Sequence, residues 1–262
     1  MNYPLWVSGQ RPCPGSSVMP RRSGRNMKSW KKALLVVSGL VPLLGLFSRP
    51  PDTMLLIYAF FVVVFLLRNK LTALFEHLPG HASLHLFILF LLSGSLTETL
   101  AWIGNFLKGA QEPALFHPQL IPDLILGIGF YGGWAIAWLI AFRWFRFNLL
   151  EAFVVTGFQG IFFEQLGAVF VEMLSVFASN PLLSILLGVY VFVVHGSVTG
   201  LAFAPLIRRF DVPHRSRHWV RFPVVIALMV SLAFMGTWLM NTCALLFGGL
   251  PAKRSIVEHP FW

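Results

Sequence analysis

Charge is what this chain has least of: only 11% of its residues are Asp, Glu, Lys or Arg, against about 25% in a soluble globular domain. Together with 56% hydrophobic residues and a mean hydropathy of +0.73, that scarcity excludes a soluble domain and implies a polytopic membrane protein. Cysteine is nearly absent too. Cys13 lies in a polar tail and Cys243 in the last apolar run, so neither a disulfide framework nor a thiolate metal site is expected. No internal repeat is visible, which weighs against the transporters built from paired, broken helices. No small-x-small cleavage site follows the first apolar run, MKSWKKALLVVSGLVPLLGLF, which ends in SRPPD. That run is therefore expected to persist as an uncleaved span or signal anchor, with Met27 as an alternative start.

The apolar sequence that is present divides into seven runs. Residues 1–32, polar and rich in Pro, Gly and Ser, are expected to be a disordered basic tail on the cytoplasmic side. Residues 33–247 read as a single all-α transmembrane bundle with runs at 33–47, 54–67, 83–106, 121–142, 149–177, 182–207 and 223–247, and 248–262 as a short extracytoplasmic tail. The first two runs are short for a bilayer and can form two spans or one re-entrant hairpin; RNKLTALFEHLPGH after them reads as an interfacial connection.

Orientation follows from the cations. Sixteen of the twenty lysines and arginines fall on one side of the seven-run arrangement, and only Arg49, Lys108, Lys253 and Arg254 on the other. Positive-inside bias then puts the N-terminus in the cytoplasm and the C-terminus outside, with the inner membrane of a prokaryote as the expected location. The same bias accounts for the net charge of +10, so no nucleic-acid partner is expected.

Against this apolar background three ionisable residues stand out. A charge at the bilayer centre costs about 2.5–3.5 kcal/mol on insertion scales, so an intramembrane carboxylate is a functional candidate by default. Glu98 shares a helical stripe with Gly94, Ser95, Ala101, Trp102 and Asn105. Glu164 shares one with Phe153, Thr156, Gly157, Gly160, Gly167 and Val171, placing Gln159 and Gln165 on another side. His195 lines up with Gly188, Val191, Thr199 and Ala202. At 1.5 Å per residue, Glu98 lies about 5 Å outward of its run's midpoint and the other two within about 2 Å of theirs. They are expected to share one polar cavity. Glu98 and Glu164 are the candidate acid/base pair and His195 the orienting or proton-relaying group, with Asn105, His117, Asp123 and Asn241 at the cavity mouth.

Other motifs carry less. GIGFYG, residues 127–132, matches a dinucleotide fingerprint but lies inside an apolar run, and Gly129 and Gly133 are better read as a helix contact. His81 with His85, and His214 with His218, have the spacing that sets two imidazoles on one helical face, without the boxes of membrane di-iron enzymes. FFEQLGAV supplies one Glu and no Arg where the CAAX-protease type of membrane hydrolase has Glu-Glu-x-x-x-Arg, and the ceramidase-like hydrolases need three zinc histidines where only His195 is clearly intramembrane. No metal or cofactor is expected. The leading functional expectation is an intramembrane enzyme acting on a lipid- or isoprenoid-like substrate, with membrane lipids and an apolar small molecule as partners. A proton-coupled transporter or channel, and a scaffold whose carboxylates only join helices, are the alternatives.

Overall fold

A computed structural model of the chain describes residues 28–210 and 218–262, apart from the side chains of Glu164 and Gln165. The basic tail up to Met27 lies outside the described residues, as does His214 with the loop around it. The elements are α1 Ser29–Gly45, α2 Leu56–His77, α3 Ala82–Lys108, α4 Leu120–Trp144, α5 Leu149–Phe163, a 3-10 turn Glu164–Gly167, α6 Ala168–Phe177, α7 Pro181–Phe203, α8 Ile207–Phe210 and α9 Arg221–Leu246. The described residues contain no β-strand. Five helices, α2, α3, α4, α7 and α9, are long and apolar enough to cross a membrane, and a sixth span results if α5 and α6 are counted as one.

Two readings of the sequence need correction. The run does not end at Leu67: α2 continues as helix to His77, because Leu, Lys, Ala and Glu are good helix formers and no breaker occurs before Pro79-Gly80. That extension gives α2 a length of 22 residues, long enough to cross a membrane. The stretch 149–177 is not one continuous helix either. It bends by 78° between α5 and α6, through Leu166 at φ 61° and Gly167 at φ 88°. Glycine takes the left-handed region without penalty, whereas Leu166 is held there at a cost of about 1–2 kcal/mol.

Glycines set the packing. On the α4–α9 interface a Cβ on Gly129 would lie 2.3 Å from the carbonyl oxygen of Gly236, one on Gly236 would lie 2.1 Å from that of Gly129, and one on Gly133 would lie 2.2 Å from that of Leu232. The two helices therefore touch backbone to backbone, which only small residues allow. On α5 the glycine face meets α7: Gly157 faces the ring of Phe192, and Gly160 the ring of His195. Helix α7 in turn accommodates Phe153 of α5 at Gly196 and Phe61 of α2 at Gly200.

One half of the bundle is filled by aromatic side chains. Trp138, Phe142, Phe147 and Phe203 are each at most 1% exposed, and Phe210 stacks on Phe142 with ring centroids 4.8 Å apart. Arg221 closes the same end. Its guanidinium donates to the carbonyl of Arg146 and, at 2.8 Å, to Glu151, and it lies over the rings of Phe147 and Phe222.

At the other end the C-terminal tail is not a loose extension. Leu120 N–H donates to the Pro260 carbonyl and Ile121 N–H to that of Phe261, while the Gln119 side-chain amide donates to the carbonyls of Arg254 and His259. Ile256 is 1% exposed. The tail thus plugs the end of the bundle where α3 finishes and α4 begins.

Candidate functional site

The site grows from one contact between α3 and α4. Glu98 is 9% exposed, and its Oε1 accepts a 2.6 Å hydrogen bond from the Tyr131 hydroxyl. The Tyr131 ring lies where a side chain on Gly94 would be: a Cβ there would come within 2.1 Å of it. Gly127 lies against the Glu98 side chain, whose Cγ stands 3.5 Å from where a Cβ would project, an ordinary contact. Asp123, Gly127 and Tyr131 recur every four residues, so one face of α4 presents a carboxyl, a small residue and a phenol to Glu98.

Asp123 completes the group. It is fully buried; its Oδ1 accepts the backbone N–H of His117 at 3.0 Å, the Phe116 N–H also points to the carboxyl, and its side-chain partner is Glu98. Among the described residues no N–H or O–H is placed to donate to Oδ2. Two facing carboxyl groups can hydrogen-bond to one another only when one of them carries a proton. The sequence reading put Asp123 at the mouth of the cavity; its side chain instead meets Glu98. The reason is that residues 110–119 and the tail lie over the start of α4, which hydropathy does not register.

A cavity of about 390 Å³ opens beside this pair, lined by Glu98, Tyr131 and Thr97 on one side and by His195 and Gln159 on the other. The rest of the wall is mostly apolar, from Met54, Phe116, Phe130, Phe163, Leu166, Val198 and Phe234 among others. Such a composition, apolar with a few convergent polar groups, is that of a small-molecule site. The His195 ring seats in the notch of Gly160, its Nδ1 is 3.0 Å from the Val191 carbonyl, and its centroid is 6.2 Å from that of Trp134. Glu98 and His195 therefore face one cavity. Gln159, which the helical wheel set on a different side from the candidate catalytic face, is 4% exposed, lines the cavity and has no hydrogen-bond partner for its Oε1 among the described residues.

A second cavity of about 210 Å³ adjoins the first and shares Met54, Ala101, Ala114, Val194 and His195 with it. It runs toward the tail end, where Asp52, Asn105, Lys108 and Tyr190 line it. Asn105 thus lies in the vestibule. Its Nδ2 donates to the Ala101 carbonyl one turn back, and the Tyr190 hydroxyl donates to Asp52 at 3.2 Å.

The remaining residues singled out in the sequence fall elsewhere. Asn241 is exposed on α9 and lines neither cavity. His117 is 3% exposed and acts as a clasp: its Nε2 pairs with the Pro251 carbonyl and its Nδ1 accepts the Gln119 N–H. Burial pushes its pKa below 6.5, with the Lys253 charge adding to that and the Pro251 carbonyl opposing it. The backbone of Glu164 opens the 3-10 turn between Phe163 and Leu166, two residues that line the larger cavity. His85 meets the carbonyl of Pro79 and the guanidinium of Arg209.

Tyr131 and Gln159 were the side chains that sequence reasoning missed. The i, i+4, i+8 recurrence of Asp123, Gly127 and Tyr131 was a readable signal, since it repeats the Gly94–Glu98 spacing on the facing helix. Comparison with known protein families, characterised proteins and solved structures finds no match for the chain.

Proposed function

We propose that this is an integral membrane enzyme that transfers protons to and from an apolar, lipid- or isoprenoid-like substrate. The observation that carries the reading is the buried carboxyl pair Glu98–Asp123, bonded to the Tyr131 phenol and facing an apolar cavity with His195 across it. In this reading Glu98 exchanges the proton, Asp123 and Tyr131 set its basicity, and His195 receives or relays it. A largely apolar site that holds a buried carboxyl pair is suited to acid/base chemistry on a carbon chain. Glu164 is retained as a further candidate because its backbone stands between Phe163 and Leu166 at the cavity rim.

The packed aromatic half favours an enzyme over a channel. Trp138, Phe142, Phe147 and Phe203 fill the bundle between the larger cavity and the Arg221 end, so neither cavity is lined by residues of that end.

The proposed topology has seven membrane segments: the five long helices, the bent α5–α6 pair and α1. Helix α1 has 17 residues, about 25 Å at 1.5 Å per residue. The distribution of cations supports a cytoplasmic N-terminus and an outer C-terminus in the inner membrane of a prokaryote. Arg68, Arg143, Arg208 and Arg221 belong to one end, whereas Lys108, Lys253 and Arg254 belong to the end with the tail.

The test compares cells or proteoliposomes carrying the wild-type protein with those carrying Glu98→Gln, which keeps the shape and removes titration. Mass spectrometry of total lipid should show a product that accumulates only with wild type, turnover falling by about 10²–10⁴ in the variant. Identical lipid profiles, with a proton flux in wild-type proteoliposomes that the variant abolishes, would replace this reading with proton-coupled transport.

A further inference from the structure

The larger cavity reaches the outside of the bundle between the α5–α6 break and α9. Phe163, Leu166 and Phe234 line it and are 45%, 83% and 53% exposed. In a protein surrounded by lipid, exposed apolar side chains that also line a cavity mark an opening toward acyl chains. The smaller cavity differs in kind. Its outer end carries Asp52, Asn105 and Lys108, an acceptor beside donors. An apolar chamber open sideways, continuous with a polar chamber at the membrane surface, matches the two ends of an amphiphile.

Resting on the enzyme reading above, we infer that the substrate is a single-chain amphiphile with a hydroxyl head. It enters sideways from the bilayer past Leu166 and Phe234, lays its chain in the larger cavity and sets its head at Asp52, Asn105 and Lys108. A hydroxyl suits this vestibule because it both donates and accepts, whereas a phosphate would meet the Asp52 carboxylate. Glu98 precedes Asn105 by seven residues and Lys108 by ten on the same helix, which is about 10–15 Å of rise. The carboxyl pair therefore meets the substrate partway along its chain and not at its head. Chemistry at an internal double bond follows: one alkene carbon gains a proton, the other becomes cationic, and the allylic carbon next to it loses a proton, which shifts the double bond by one position and balances without an oxidant or a second reactant.

Photo-crosslinking tests this in the intact protein in bicelles. Two long-chain primary alcohols are used, one with a diazirine next to the hydroxyl and one with it at mid-chain, and the labelled residues are located by mass spectrometry. The head-proximal probe should label the segments around Asp52 and Asn105, and the mid-chain probe those around Glu98, Gln159 and His195. Excess unlabelled alcohol should displace both. The double variant Asn105→Leu, Lys108→Met should lower head-proximal labelling about fivefold, as expected for losing a hydrogen bond of about 1 kcal/mol, and leave the mid-chain pattern in place. Label confined to outward helix faces and not displaced by competitor would overturn the proposal, as would both probes labelling the same residues. Glu98→Gln separates the two claims. Correct labelling with unchanged lipid turnover in that variant sinks the enzyme reading alone; lost turnover with misplaced labels sinks the amphiphile alone.

Discussion

Tyr131 reaches Glu98 across the α3–α4 interface because Gly94, one turn before Glu98, has no side chain: the phenol ring fills that gap and its hydroxyl meets Oε1 at 2.6 Å. Packing and chemistry are thereby joined in one contact, and substitutions can separate them. Tyr131→Phe keeps the ring and leaves a buried carboxyl oxygen without its donor, so unfolding in detergent should show a loss of about 1–3 kcal/mol. Gly94→Ala forces the ring away from its seat. It should lower turnover at least as much as Tyr131→Phe, and equal turnover to wild type would show that the hydrogen bond has no role in the reaction.

Gln159 is expected to behave as a residue kept for binding. Its Oε1 is buried without a partner among the described residues, an arrangement that costs a fold about 1–3 kcal/mol. Gln159→Leu removes that oxygen, so thermal stability should hold or rise while substrate turnover falls. A clear loss of stability would mean that the amide has a structural partner.

The α4–α9 seam should be intolerant of any side chain at its contact points. A methyl group on Gly129 or Gly133 would meet a backbone carbonyl within 2.3 Å, whereas one on Gly132 would find Phe87 at 3.7 Å, an ordinary contact. Gly129→Ala and Gly133→Ala should therefore reduce the yield of monodisperse protein on size-exclusion chromatography, and Gly132→Ala should not.

The tail should loosen in acid. Burial lowers the folded-state pKa of His117 below 6.5, so the unfolded chain binds the proton more readily, and the clasp is at full strength above about pH 6.5 and weakens as pH falls through the folded value. Protonation also removes the lone pair that accepts the Gln119 N–H. Hydrogen exchange in residues 248–262 should rise as pH drops from about 7 to about 5 beyond the intrinsic pH trend, and His117→Asn should abolish that extra rise.

How far the bundle could be read in advance depended on the kind of signal. Apolar runs at 83–106, 121–142, 182–207 and 223–247 correspond closely to α3, α4, α7 and α9, because a bilayer-length helix needs only composition and length to be recognised. The break at 164–167 was not legible in that way. Glu164 and Gln165 read only as polar positions on a long apolar run, whereas the bend lies in the backbone of Leu166 and Gly167, which hydropathy does not register.

By itself the sequence determined that the chain is helical and membrane-like, that Glu98 and His195 are polar residues deep within apolar helices, and that glycines line several faces. These are properties of periodicity and transfer free energy, local to each segment. Only the tertiary structure decided that Asp123 belongs beside Glu98, that Tyr131 completes the pair, that Gln159 faces the cavity and that Asn241 does not. Those pairings depend on how deep each helix begins and how it is rotated about its axis. Residues 110–119 and the tail folded over α4 set the first, and glycine-to-backbone contacts on α9 set the second.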